Sequence, residues 1–500
     1  MGKSLMIQGT ASDSGKSILV AGLCRIFYQD GLKALPFKSQ NMALNSYITM
    51  KGQEMGRAQV FQAEAAGIEP DVRMNPVLLK PTSDRKSQVI FNGEVLCDMD
   101  AVEYHEFKPQ LIEKITGLYQ ELVQENDVIV LEGAGSPAEI NLNSRDIANM
   151  GMAKIADAPV ILVADIDKGG VFASIYGTIH LLEPAERARI KGIIINKFRG
   201  DIALLDPGLK MIEDLTDVPV IGVIPYAQLN IEDEDSVALT KVNRSYNPQK
   251  DLDIAVIGLS KISNFTDFKS LESEPDVSIR YVFPGDQLGS PDILILPGSK
   301  NTLEDCLYLK DSGMAKEIQR VRNEGKMIFG ICGGFQLLGK MLHDPHQVES
   351  THGSLKGLAL LNIETYFEAK KTTTRVEAKI GEETIHGYEI HMGRSENYEK
   401  QYFAELITAN GKKISRKDGA VSSDKLVIGT YLHGVFDNSA WRRKLLNQVR
   451  EAKGLSLIKE VAIPYKEYKN QQYDKLADLI RKNVDLEKIY QIMNQEEINV

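Results

Sequence analysis

The chain has 500 residues, of which 43% are hydrophobic and 26% charged, with a formal net charge of −10. At roughly 150 residues per domain this predicts two large domains or about three smaller ones of ordinary globular composition, which excludes a single small binding module and a globally disordered chain. The acidic balance, 59 Lys plus Arg against 69 Asp plus Glu, supplies no basic field for a phosphate backbone, so no nucleic-acid partner is expected.

At the N-terminus, MGKSLMIQGTASDSGKS has no long apolar run before its first glycine and serine cluster. Nowhere do about 18 uncharged apolar residues run together, so neither a signal peptide nor a membrane span is expected. The four cysteines, Cys24, Cys97, Cys306 and Cys332, form no C-x-x-C pair, and a chain of this length does not depend on disulfides; a reducing cytoplasm is the expected location. Short β-branched runs then recur, each leading into a turn and a helical pattern: LMIQG at 5–9, VIVLEG at 128–133, VILVAD at 160–165, GIIINK at 192–197 and PVIGVIP at 219–225. Such runs read as buried parallel strands of a doubly wound α/β sheet. The polar stretch around NIEDEDS and NRSYNPQKD has no apolar periodicity and reads as a linker. Alternation resumes with DIAVIGL at 253–259, IRYVF at 279–283, DILILPG at 292–298, MIFGIC at 327–332 and VIGTYLHG at 427–434, predicting a second doubly wound α/β domain. The expected boundaries are 1–228 for the first domain, 229–250 for the linker, 251–440 for the second domain and 441–500 for a helical tail without a motif.

In the first domain the strand LMIQ runs into GTASDSGKS and then the apolar helix ILVAGLCRIF. This is the context of a P-loop: Gly9, Thr10, Ser12, Asp13 and Gly15 turn backbone N–H groups toward phosphate oxygens, Lys16 reaches the outer phosphates, and Ser17 offers a hydroxyl to magnesium. Five residues separate Gly9 from Gly15, one more than the usual spacing. Glu132 ends VIVLE, where open α/β sheets hold their ligands, and a carboxylate there suits a magnesium ion bridging phosphates. Asp165 and Asp167 close another strand, with capping an equally good account of them, and Asn196 follows a third, where a side-chain amide would suit an adenine edge. Lys38 closes the short run ALPFK.

In the second domain Cys332 sits between a buried strand and an apolar helix with Gly330, Gly333 and Gly334 around it. That frame is a nucleophile elbow with sulfur in place of oxygen: small neighbours permit the turn and the helix N-terminus favours thiolate. The Gly333 N–H is the expected oxyanion donor, with Gly298 and Ser299 of PGSK in the second donor loop. His433, ending VIGTYL, is the expected base; His386 and His391 are competitors.

The strings of the first domain resemble dethiobiotin-synthetase-type P-loop proteins, which implies that Lys38 stands beside the transferred phosphate. Those of the second domain resemble class I, triad-type glutamine amidotransferases, in which a Glu normally follows the histidine by two residues; here that position is Val435. What orients His433 is left open. The longer strings PFKSQNMALNSYIT, EMGRAQ, EGAGSPAEINL, DIDKGGVFAS, NKFRGD, FGICGGFQLLG, HGYEIHMG and YLHGVFDN resemble the cobyric acid synthase family. The resemblance implies an ATP- and glutamine-dependent amidation of the b, d, e and g carboxylates of adenosylcobyrinic acid a,c-diamide. It further implies Mg2+ with ATP as co-substrate, no bound organic cofactor, and a corrinoid, glutamine and ATP as small-molecule partners, with a homo-oligomer possible. The alternative is the related cobyrinic acid a,c-diamide synthase. The corrinoid is expected on the amide-rich stretch 38–62, with Gln40, Asn41, Asn45 and Arg57, and with Asp165 and Asp167 from another strand end, as substrate-binding residues.

Overall fold

A computed structural model describes residues 2–81, 86–227, 229–231, 242–460 and 463–496. The chain divides into two compact units, one formed by residues 1–43, 55–232 and 469–500, the other by residues 44–54 and 233–468. Of the expected linker, residues 232–241 lie outside the described residues, as does Gln228 at the expected end of the first domain.

The first unit is built on a six-stranded, wholly parallel sheet in the order Val220–Pro225, Ile190–Phe198, Val160–Asp165, Lys3–Gly9, Val128–Glu132, Ala34–Phe37. Its central strands are β-branched and buried along their length, as a sheet covered on both faces requires. Because the strands run in parallel, Gly9, Lys38, Glu132, Asp165 and Asn196 come to the carboxyl-terminal edge together, with Ile7 in register with Glu132 and Asp165 with Asn196. A second, four-stranded sheet carries Gln40–Met42, Val77–Pro81, Lys86–Phe91 and Glu94–Asp100.

The expected helical tail is not a unit of its own. Helix Ser439–Ala452 places Trp441, Leu445, Leu446 and Val449 in the core of the second unit. Leu476, Ala477 and Ile480, and then Ile489 and Ile492 of helix Leu486–Met493, join the core of the first unit with Leu19, Leu23 and Phe27 of helix Lys16–Gln29. Gly22 permits that approach, since a Cβ there would stand 2.1 Å from Ile480 Cδ1. The helical pattern announces an apolar stripe but not which core covers it.

The second unit has a parallel sheet in the order Val277–Val282, Leu252–Ile257, Ile293–Leu296, Met327–Ile331, Val427–Thr430, with the short strand Ala420–Val421 antiparallel at its edge. Alongside stands a second sheet around the long hairpin Ile363–Ile380 and Glu383–Asn397, an addition to the doubly wound plan. No helix among the described residues is long and apolar enough to cross a membrane.

Candidate functional site

In the first unit, the turn between strand Lys3–Gly9 and helix Lys16–Gln29 is closed by Gly15 at φ 98°, where a Cβ would stand 2.1 Å from Asn196 Nδ2. Only glycine fits both the left-handed backbone and the contact. Thr10 N–H donates to the Val163 carbonyl at 3.0 Å, while Ser12 and Asp13 are exposed. Lys16 Nζ donates to the carbonyls of Ala11 (2.9 Å) and Gly135 (3.0 Å).

Glu132 is the node of this site. Its Oε1 accepts from Ser17 Oγ and from Lys38 Nζ, both at 2.8 Å, and its Oε2 accepts from Gln62 Nε2 at 2.5 Å. The carboxylate is 2% exposed, so these donors replace the water it has lost. Gln62 carries no motif, only a place on helix Arg57–Ala65, and the sequence reading missed it. Burial first, and then the charge of Glu132, push the nearby Cys24 thiol far up, leaving it inert. Among the described residues no group of three or more His, Cys, Asp or Glu side chains is arranged to hold a metal ion. The Ser17 hydroxyl and Glu132 carboxylate are the hard oxygen pair that suits Mg2+, an ion that takes one or two protein ligands and fills the rest from phosphate and water.

The weaker candidates have structural partners. Asn196 donates its amide to the Ser14 carbonyl at 2.9 Å and accepts from Lys197 N–H at 2.9 Å, which makes it a brace for the P-loop. Asp165 pairs with Lys197 (2.7 Å) and accepts from Asp167 N–H (2.9 Å); Asp167 pairs with Arg199 (2.9 Å). Residues 38–62 do not form one open polar face. Gln40 accepts from the Tyr104 hydroxyl at 2.7 Å, Asn41 donates to Gln59 Oε1 at 3.2 Å, and Asn41 and Arg57 are buried. Asn45 is also buried, but in the other unit.

In the second unit Cys332 stands at φ 52°, ψ −110°, between strand Met327–Ile331 and helix Gly333–Leu337. A non-glycine residue there stores strain of about 1–3 kcal/mol, which the surrounding packing must hold. It does so by close approach: a Cβ on Gly334 would stand 1.9 Å from the Leu296 carbonyl oxygen, and one on Gly333 would stand 2.7 Å from Ser299 N. The loop of Gly298 and Ser299 is therefore against the elbow. Ser299 Oγ donates to Asp305 Oδ2 at 2.6 Å, and Asp305 Oδ1 accepts from Ser260 N–H (2.9 Å) and Ser260 Oγ (2.6 Å). Burial pushes the Asp305 carboxyl up against the pull of these donors.

His433 follows strand Val427–Thr430 and is fully buried. Its Nδ1–H donates to Asp267 Oδ2 at 2.7 Å, and the next residue, Gly434, donates its N–H to Asp267 Oδ1 at 2.9 Å. Asp267, on the short 3-10 turn Phe265–Phe268, thus takes the place that Val435 vacates. The sequence reading missed it, because ISNFTDF carries neither a spacing nor a periodicity that points at His433. Burial on its own lowers the imidazole pKa; the Asp267 charge and hydrogen bond, then the adjacent Cys332, outweigh it and raise His433 to about 10. Nε2 is buried without a protein hydrogen bond.

A cavity of about 470 Å³ opens beside the elbow, lined among others by Phe335, Glu389, His391, Arg416 and Tyr431. His391 Nδ1–H donates to the Gly393 carbonyl at 2.6 Å and its ring stacks on Tyr431, leaving a buried Nε2 acceptor without a hydrogen bond. Its role is that of cavity wall. His386 is exposed, 3.6 Å from Glu377.

Residues 5–237 match the family described as CobQ/CobB/MinD/ParA nucleotide binding domain, and residues 253–441 match the CobB/CobQ-like glutamine amidotransferase domain. Fold and family matches together define a glutamine-dependent, ATP-using amidoligase: a P-loop nucleotide-binding domain joined to a triad-type amidotransferase domain. Cobyric acid synthases of Streptococcus sanguinis (63% identical, covering 99% of this chain and 100% of theirs), Limosilactobacillus reuteri (59%, 98% and 98%) and Listeria welshimeri (58%, 100% and 98%) are similar over nearly the full length. The chain belongs to the cobyric acid synthase family.

Proposed function

We propose that the chain converts adenosylcobyrinic acid a,c-diamide into adenosylcobyric acid, amidating the b, d, e and g carboxylates with ammonia from glutamine and energy from ATP. The observation that carries the reading is the buried His433–Asp267 pair beside a strained cysteine, in a chain whose other unit carries a P-loop.

Glutamine occupies the cavity beside the elbow. Cys332 Sγ attacks its side-chain amide carbon while His433 Nε2 takes the thiol proton, and Asp267 stabilises the imidazolium. The oxyanion lies against the N–H groups of Gly333 and Ser299, with Gly298 at the histidine: a Cβ on it would stand 3.4 Å from His433 Cε1. His433 returns the proton to the leaving nitrogen, ammonia departs, and water hydrolyses the thioester with the same base.

At the P-loop a corrinoid carboxylate oxygen attacks the γ-phosphorus of ATP, displacing ADP and forming an acyl phosphate; ammonia then displaces phosphate from the acyl carbon. Lys16 leaves its two backbone carbonyls for the phosphates, and Lys38 stands beside the transferred group. Ser17 and Glu132 would hold Mg2+, which neutralises phosphate charge when bound. The test is the mass of the corrinoid after incubation with glutamine and magnesium ATP. Four added amides are expected; a product with only the a and c positions amidated, starting from cobyrinic acid, would assign the chain to the sister reaction.

A further inference from the structure

The cavity beside the elbow holds acidic groups that the steps above leave unused. Glu389 and Asp418 line it and are 1% and 5% exposed, whereas the basic side chains that also line it, Lys370, Arg394, Arg416 and Lys417, are exposed. The cavity thus has an acidic floor and a basic mouth. Asp418 accepts from the Thr430 hydroxyl and from Tyr431 N–H at 3.3 Å; burial, and then the Glu389 charge, push its carboxyl up to about 7. Glu389 Oε2 pairs with the exposed Arg416, while its Oε1 accepts no hydrogen bond among the described residues.

That oxygen faces a nitrogen that also lacks a partner. The His391 side chain is 8% exposed, its Nδ1–H is spent on the Gly393 carbonyl, and Nε2, which therefore presents a lone pair, lies 3.8 Å from Glu389 Oε1. Two acceptors at that spacing cannot satisfy each other. A single nitrogen carrying several N–H bonds can stand at about 2.8–3.0 Å from both, and a positive charge on it answers the buried carboxylates. Both acceptors are on strand Glu383–Asn397, and Ile390 between them accepts the Cys332 thiol hydrogen on its carbonyl at 3.4 Å. The pair flanks the backbone group that the reacting sulfur touches.

We propose that Glu389 Oε1 and His391 Nε2 bind the α-ammonium group of glutamine and make the site selective for an α-amino acid amide over a plain amide of the same length. This rests on the function proposed above, which puts glutamine in the cavity, and names the groups that recognise its amino-acid end. The ammonium goes to the buried floor, and the α-carboxylate, attached to the same carbon, goes toward the exposed Arg416. Glu389 and His391 are specificity-determining residues, since they hold the end of the substrate that does not react.

The test compares kcat/KM for ammonia release from glutamine and from glutaramate, the same molecule with hydrogen in place of the amino group, in the wild type, Glu389→Gln and His391→Phe. Glu389→Gln keeps the side-chain shape and removes the charge; His391→Phe keeps a ring against Tyr431 and removes the acceptor. Each ratio is taken within one protein, so a general loss of activity cancels, and a purely structural role would leave the ratio intact. The wild type should prefer glutamine roughly 10²-fold or more, and in each variant the preference should fall about tenfold or more, chiefly through the KM for glutamine. A wild-type ratio near one, or an unchanged ratio in either folded variant, overturns the subsite. An unchanged ratio together with ammonium chloride inhibiting the wild type but not the variants would give the pair to the released ammonium ion instead, and the assignment to the substrate falls. Should Glu389→Gln fail to fold, His391→Phe decides alone. A wild type that hydrolyses neither amide overturns the underlying function, and the subsite with it.

Discussion

At the P-loop the polar side chains rest on groups that a ligand can replace: Lys16 on two backbone carbonyls, Lys38 and Ser17 on one carboxylate oxygen. At the cysteine the contacts are made within the protein itself. His433 is fully buried on Asp267, and the elbow is closed by carbonyls and N–H groups too near for any Cβ at Gly333 or Gly334. A site that must receive triphosphate and a large acceptor keeps its charges on loan, whereas one that only has to cleave a small amide is built in advance.

Breaking the loaned side has the largest effect. Lys16→Ala should lower amidation roughly 10³-fold or more from either nitrogen source, because the phosphoryl transfer loses its charge stabilisation. Steady-state rates with glutamine and with ammonium check this. Next comes the prebuilt side. Asp267→Asn should cost roughly 10²- to 10³-fold in glutamine-dependent rate while ammonium-driven amidation stands. The same variant sharpens the electrostatics. His433 is raised from 6.5 to about 10, so its pairing adds stability in full below the unfolded value and loses it as pH climbs toward the folded one. The stability gap between wild type and Asp267→Asn, read by denaturant titration, should be widest near pH 6 and shrink toward pH 10. The smallest effect is expected from Arg57→Ala, a few-fold rise in the KM for corrinoid with smaller changes for ATP and glutamine; equal changes in all three would take Arg57 out of the acceptor site.

The contrast between the sites also governs what a sequence reveals. The P-loop is one continuous string on a strand–turn–helix, and the elbow is another, so Lys16, Ser17 and Cys332 can be read directly. Glu132 and His433 follow because they end apolar strand runs, which the parallel sheets bring to one edge. Asp267 does not follow. Its turn connects strands Leu252–Ile257 and Val277–Val282, which lie across the sheet from Val427–Thr430, so only the course of that connection brings it to His433. Gln62 is hidden for the same reason, as one polar position on a largely buried helix. The exchange of residues 44–54 is invisible because amide-rich composition looks like a solvated loop, while the structure buries Asn41, Asn45 and Ser46. Helix Leu486–Met493 likewise shows an apolar face without an address.

The division of labour between the two sites is the central claim, and Cys332→Ala tests it most directly. The variant is incubated with magnesium ATP and the corrinoid, once with glutamine and once with high ammonium, and the products are resolved by mass. The account predicts four new amides with ammonium and none with glutamine. A folded variant that forms no amide from ammonium, or one that still uses glutamine, would contradict it.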